Sequence, residues 1–237
     1  MARKEQLRKQ RTGTIINLTA KKQQSVLGRA LEKLLDRLEQ RFPQVKFDHK
    51  AEWRLKDIVA SLREIYPDVK FHYHHDTSSM KPDGGILSIV DKGGKTYPIL
   101  IVEVKNQGTN ELRLREGLPR QARGNAIERL GKNVIGFRTA LMHEHIFPFV
   151  CFGDGCDFAE GSSMLDRVTI IAMFGELNVI HLINEGPYGR FNRGTFFFRE
   201  QPWTEDEMVS VMYEVACRSI YYYFAKHGEQ DFVSNST

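Results

Sequence analysis

A chain of 237 residues that is 41% hydrophobic and 27% charged has the size and apolar content for one globular domain with a sizeable core. No apolar run approaches the roughly 20 residues that cross a bilayer, which excludes a membrane-inserted enzyme. The formal net charge of +4 is compatible with nucleic acid without demanding it, and three cysteines, Cys151, Cys156 and Cys217, lack the C-x-x-C spacing of a zinc site or a disulfide framework.

The segment from Met1 to Gln24 is polar and basic, with Arg3, Lys4, Arg8, Lys9 and Arg11 near a single acid, Glu5. It lacks the apolar centre of a secretory signal, so a cytoplasmic protein is expected. The segment reads as a mobile arm (1–24) ahead of a single domain (25–237), either a solvated tail or an arm that touches phosphates. Leucines at 27, 31, 34, 35 and 38 then predict an amphipathic helix from Ser25 to Phe42, stopped by Pro43. A second helix is expected from about Ala51 to Ile65, before Pro67, burying Trp53, Ile58, Leu62 and Ile65.

Val69–His75 alternates like a strand and carries His72, His74 and His75. Neighbouring strand residues face opposite ways, which leaves only His72 with His74 on one side and favours an ordinary strand over a metal site. Ile86–Val90 and Tyr97–Val104 are apolar runs joined by Asp-Lys-Gly-Gly-Lys, the pattern of a β-hairpin. Gly93-Gly94-Lys95 does not have P-loop spacing, and a strand follows it where a helix should. A long helix is expected from Asn125 to His143, then strands at Phe147–Phe152, Val168–Phe174 and Val179–Ile183. A glycine-rich loop with Arg190 and Arg193, an aromatic strand at Phe196–Phe198 and a helix capped by Thr204 and reaching Ala225 complete the chain. The fold class is α/β, a mixed central sheet flanked by helices.

The chemistry concentrates on the hairpin. Met80-Lys-Pro-Asp-Gly-Gly85 enters its first strand and Ile101-Val-Glu-Val-Lys105 lies in its second. Alternation sets Glu103 and Lys105 on one face while Val102 and Val104 turn into the core, and the hairpin brings Asp83 to the same face. Two carboxylates beside the Val104 carbonyl make a hard-oxygen site suited to Mg2+, with Lys105 adding a cation where an attacking water would sit. Phosphodiester hydrolysis needs such groups, because charge builds on an already anionic phosphate and water must become a nucleophile. The competing reading is a surface hairpin with an ordinary Glu103–Lys105 ion pair, since E-x-K is common on strands.

In order and spacing, Ser78-Ser-Met-Lys-Pro-Asp-Gly-Gly-Ile86, Glu103-Val-Lys-Asn-Gln-Gly108, Gly124-Asn-Ala-Ile-Glu-Arg129 and Phe147-Pro-Phe-Val150 resemble the blocks of EcoRI-like type II restriction endonucleases, of the PD-(D/E)xK superfamily. The likeness is densest from Ser78 to Phe158. It implies that Asp83, Glu103 and Lys105 are catalytic, which agrees with the expectation that Asp83, Glu103 and the Val104 carbonyl hold Mg2+. It also implies that Gly124, Asn125, Ala126, Glu128 and Arg129 read the adenines of a central AATT at a helix start. The chemistry agrees, because an Asn amide pairs with adenine N7 and N6, a Glu accepts from an exocyclic amine and an Arg donates to N7. Without the neighbouring motifs the same residues would read as a helix cap with an exposed ion pair.

Gln107 matches a family position near the bases, Lys81 is expected on the DNA, and Arg123 is the right type to grip an outer guanine. Arg190 and Arg193 are further candidate DNA contacts in an otherwise solvated loop. The resulting expectation is hydrolysis of double-stranded DNA at a six-base palindrome with outer G·C pairs, CAATTG ahead of GAATTC and a degenerate or absent outer pair as the alternative, leaving 5′-phosphates on four-base 5′ extensions. A palindrome implies a homodimer, and host protection implies a cognate methyltransferase as a functional partner. A repair or recombination nuclease with the same core, which would not need the adenine-reading segment, and a binding module without cleavage are the alternatives.

Overall fold

The computed structural model describes residues 15–106, 117 and 125–234, with residues 15–21 and 125–126 described by backbone alone. Gln107, Arg123, Gly124 and the basic residues before position 12 lie outside it. Helix α1 spans Ile15–Arg41 and buries Leu27, Ala30, Leu34 and Leu38 along one stripe. It starts at Ile15 rather than Ser25, so residues 15–24 are helix and not the distal half of an arm.

Strand β1 (Lys46–Lys50), whose only apolar residue is Phe47, was not expected from the sequence. A short strand β2 (Trp53–Arg54) precedes α2 (Leu55–Ile65) and pairs with β3 (Ser79–Met80). Helix α2 therefore starts at Leu55, not Ala51, and it buries Ile58, Val59 and Leu62 while Ile65 is exposed. Val69–His75 forms no strand, because β1 already occupies the sheet edge next to the hairpin and this segment closes only local turns after Pro67. The His72 and His74 rings meet edge to face at 4.7 Å, and no metal-binding group of three or more His, Cys, Asp or Glu exists among the described residues.

The expected hairpin is present as β4 (Ile86–Val90) and β5 (Thr96–Asn106), antiparallel. Its register shifts between Leu87 and Ser88, opposite Pro98, which allows a proline inside a paired strand. Helix α3 (Asn125–Ala140) crosses back to β6 (Phe149–Asp154), which runs parallel to β5, and β7 (Thr195–Arg199) runs parallel to β6. The sheet order is β1-β4-β5-β6-β7.

Two expected strands are corrected. Val168–Phe174 belongs largely to helix α4 (Ser163–Ile171), which Ser162 caps through the Met164 amide. The β-branched Val-Thr-Ile-Ile run imitates a strand, but Met164 and Val168, one turn apart, bury against the sheet and set the helical period. Val179–Ile183 is a covering loop whose Asn178 closes the β7 edge, donating its amide to Phe196 O at 2.8 Å and accepting from the Phe198 amide at 2.8 Å. Helix α5 (Glu205–His227) begins at a Thr204–Glu207 capping box, as its sequence predicts.

Alternation along the central strands separates two cores. Leu100, Val102, Val104, Val150 and Phe152 pack against α1 and α5, whereas Ile101, Phe149, Cys151, Phe196 and Phe198 pack against α2, α3 and α4. Covering both faces explains the unbroken apolar run of β5. Among the described residues no helix is long and apolar enough to cross a membrane.

Candidate active site

Strand alternation continues past Ile101, which faces α3, so Glu103 and Lys105 fall on the α3 side near the carboxyl end of β5. Open α/β sheets place their ligands at such strand ends. Asp83 arrives there through a tight glycine turn: Gly84 donates its amide to Val102 O at 2.9 Å. A Cβ on Gly84 would lie 2.8 Å from that of Val102, and one on Gly85, at φ +72°, would lie 2.6 Å from Lys50 O. The two glycines thus let the Pro-Asp segment sit directly on β5.

The three groups then meet. Asp83 Oδ2 accepts from the Val104 amide at 3.2 Å and from Lys105 Nζ at 3.2 Å. Lys105 Nζ also donates to Val104 O at 3.0 Å and pairs with Glu103 Oε1. The Asp83 amide reaches Glu103 Oε2 at 3.3 Å. Side-chain exposure rises from 4% at Glu103 through 14% at Lys105 to 27% at Asp83, so the cluster opens to solvent on the Asp83 side.

Burial pushes the Glu103 carboxyl up, Lys105 draws it down and Asp83 pushes it up again, for a net rise. Burial works against the charge on Lys105, but Glu103, Cys151 and Asp83 outweigh it and hold the ammonium above its ordinary value. The causes differ: burial leads the rise of Glu103, whereas on Lys105 the facing negative groups override burial. Asp83 Oδ2, Glu103 Oε1 and the Val104 carbonyl oxygen converge on the Lys105 ammonium, a donor set of hard oxygens alone around one cation. The residues fit a hard divalent cation that keeps part of its water shell.

Sequence reasoning missed Asn133. Its Nδ2 donates to Glu103 Oε1 at 3.2 Å from the third turn of α3. The signal was there in the spacing, since Asn125, Arg129 and Asn133 recur every four residues on one helical face. Because Asn133 touches Glu103, the start of α3 at Asn125 lies about 12 Å further along the helix axis. Ile127 and Leu130 are buried while Glu128 and Arg129 are exposed, so α3 is anchored by its apolar side and presents this pair to solvent.

The remaining candidates divide. Lys81, exposed at the edge of the site, pairs with Glu52 at 2.6 Å. Arg190 and Arg193 precede β7 at the amino ends of the parallel strands, so the structure does not bring them to the carboxylate cluster. Arg193 instead donates to the carbonyls of Arg190 at 3.1 Å and Asn192 at 2.9 Å. Among the described residues no cysteine forms a disulfide.

A mixed sheet with helices on both faces, whose hairpin seats a Pro-Asp aspartate against an E-x-K strand, is the restriction-endonuclease-like α/β core. Comparison with known proteins narrows this. The family described as Restriction endonuclease EcoRI matches residues 9–165. The type II restriction enzyme RsrI of Cereibacter sphaeroides is 27% identical over 240 aligned positions, 87% of each chain. The type II restriction enzyme EcoRI of Escherichia coli is 29% identical over 183, covering 72% of this chain and 66% of that protein. The chain therefore belongs to the EcoRI family of restriction endonucleases. Its enzyme class is that of type II restriction enzymes, which are site-specific deoxyribonucleases.

Proposed function

We propose that this enzyme hydrolyses double-stranded DNA with Mg2+ at a palindrome with a central AATT, leaving 5′-phosphates on four-base 5′ extensions. The observation that carries the chemistry is the convergence of Asp83, Glu103 and the Val104 carbonyl on one cationic point. In this reading Asp83, Glu103 and Val104 hold Mg2+, which when bound neutralises phosphate charge and makes water acidic enough to attack. Lys105 balances charge at the scissile phosphate, and Asn133 orients Glu103.

Recognition falls to the start of α3, where Asn125, Ala126, Glu128 and Arg129 read the inner adenines, supported by the exposure of Glu128 and Arg129. Helix-start amides of this segment, Gly124 included, favour phosphate. Gln107 lies near the bases, Lys81 contacts phosphate, and Arg123 grips the guanine of an outer G·C pair, CAATTG ahead of GAATTC. The amino-end position of Arg190 and Arg193 argues against a role for them in base reading.

Two copies related by a twofold axis would cut the two strands. The α3 side is the favoured interface, because α5 spends its apolar face on the core with α1. Ile135 lies one turn beyond Gly131, which faces Ile171 of α4, and Ile135, Ile170 and Phe174 are exposed there. A host methyltransferase of the same specificity, and a cytoplasmic location, complete the proposal.

Digestion of a sequenced plasmid with Mg2+, followed by mapping of the ends, tests it. Ends bearing AATT extensions support the reading. Cleavage at unrelated sequences would overturn the assignment of α3, and cleavage at branched DNA alone would make the protein a repair or recombination nuclease. Binding without cleavage would leave a DNA-binding module, and sedimentation as a monomer both free and on DNA would remove the dimer.

A further inference from the structure

The last residue of β6 is a carboxylate that the reaction outlined above does not use. Asp154 is only 4% exposed and stands beside Asn106 in the parallel register of β5 and β6. Its Oδ1 accepts from Asn106 Nδ2 at 2.6 Å, and its Oδ2 accepts from Nε2 of Gln23, itself 7% exposed on α1, at 3.0 Å. The same Gln23 nitrogen donates to Lys105 O at 3.4 Å. Arg199, the positive charge that acts on Asp154, is engaged elsewhere, forked onto Glu207 at 2.8 and 2.6 Å and stacked 3.7 Å over Trp203.

A buried carboxylate whose side-chain partners are amides is costly, and an apolar residue would fill its place more cheaply. What a carboxylate offers is two acceptors and no donor. Both amides can point at it in one orientation only. Gln23 could not answer an asparagine at 154 by turning over, because its oxygen would then face Lys105 O. The new amide would therefore have to face a turned-over Asn106, and the charge that strengthens the bonds from both amides and from the Trp203 backbone would be lost.

We propose that Asp154, together with Gln23, is a positioning residue for cleavage: the pair clamps the Lys105–Asn106 end of β5 and so holds Lys105 against Asp83 and Glu103. The inference rests on the nuclease reading and adds a role for residues outside the carboxylate cluster. Lys105 is one residue from the clamped side chain of Asn106 and shares its own carbonyl with Gln23. Loosening this strand end therefore displaces the ammonium without removing any group that binds DNA.

The test compares wild type, Asp154→Asn, Gln23→Ala, the double variant and Asp83→Ala. Three quantities are read: single-turnover cleavage in Mg2+ of a duplex carrying the mapped site, affinity for that duplex in Ca2+, and the thermal midpoint. Misplacing a catalytic group by about 1 Å costs on the order of a hundredfold, so Asp154→Asn is expected to slow cleavage by about 10- to 100-fold with affinity within about threefold of wild type. The double variant should be no slower than the slower single one, because both break one device. Cleavage by Asp154→Asn within about twofold of wild type, additive losses, or losses that track the midpoint or the affinity would overturn the proposal. If Asp154→Asn does not fold, Gln23→Ala alone decides, and an unchanged rate overturns the clamp. Wild type and Asp83→Ala separate the two levels: a wild type that never cuts removes the nuclease reading itself, whereas cutting by wild type and by Asp154→Asn alike removes only the clamp.

Discussion

Two buried glutamates, one at each end of the sheet, are met in opposite ways. Glu103, near the carboxyl end of β5, shares one ammonium with Asp83, and its carboxyl is pushed up. Glu144, ahead of the amino end of β6, accepts from Tyr222 Oη at 2.8 Å and Lys226 Nζ at 2.6 Å on α5, and from His143 Nε2 at 3.3 Å. Burial raises this carboxyl too, but the bonds from His143, Lys226 and Tyr222 outweigh burial and bring it down to about 2. Glu103 and Glu144 have side-chain exposures of 4% and 7%, so burial does not separate them. The ratio of donors to acceptors does. Donors in surplus make Glu144 a fastening for α5, whereas acceptors in surplus leave Glu103 and Asp83 open to a further cation.

The contrast can be broken most severely at the open end. Asp83→Ala, Glu103→Ala or Lys105→Ala should each reduce Mg2+-dependent plasmid cleavage by about 10²- to 10³-fold or more, with the thermal midpoint little changed. Near wild-type cleavage by any one of them would take that residue out of the site.

Glu144→Gln should do the reverse. Leaving Lys226 without its partner is expected to cost roughly 3 kcal/mol in urea unfolding, while cleavage at a temperature where the variant is folded stays near wild type. Acid sharpens the point. The Glu144 carboxyl, near 4.5 when unfolded, is held at about 2 in the fold. Its contribution is therefore complete above the unfolded value and fades as pH falls towards 2. The stability gap between wild type and Glu144→Gln should narrow over that window, and a gap that stayed constant would contradict the assignment.

Smaller effects come from removing one donor at each end. Asn133→Ala should slow cleavage about tenfold with little change in stability, as expected of a group that orients a ligand. Tyr222→Phe should cost about 1 kcal/mol of stability and leave cleavage unchanged. If Asn133→Ala moved only the thermal midpoint, the Glu103 end would be a structural cluster like the other.

Legibility followed the range of the forces involved. The β4–β5 hairpin, the stripe of α1, the stop at Pro43 and the Thr204–Glu207 cap depend on contacts a few residues apart, and the sequence predicts each of them. The Pro82-Asp83-Gly84-Gly85 turn and the Glu103-x-Lys105 alternation are local in the same sense, so the composition of the carboxylate cluster could be named before any coordinates. The reading failed where a neighbour decided. Val168–Ile171 carries strand-forming residues yet is helical, because Met164 and Val168 bury against the sheet. Val69–His75 alternates like a strand, but β1 takes the edge beside the hairpin, and Val179–Ile183 covers the β7 side with a single bridge from Ile183 to Ile146 in place of a ladder.

The sequence by itself therefore determined the α/β class, the hairpin and the meeting of Asp83, Glu103 and Lys105 on it, because period and turn chemistry act within a short stretch of chain. Tertiary structure alone decided that Asn133 meets Glu103 across 30 residues, that Gln23 meets Asp154 across 131 and that Glu144 meets Lys226 across 82. Those pairs form only once the layers have packed. Burial makes their hydrogen bonds count, and burial belongs to the assembled fold rather than to any segment of it.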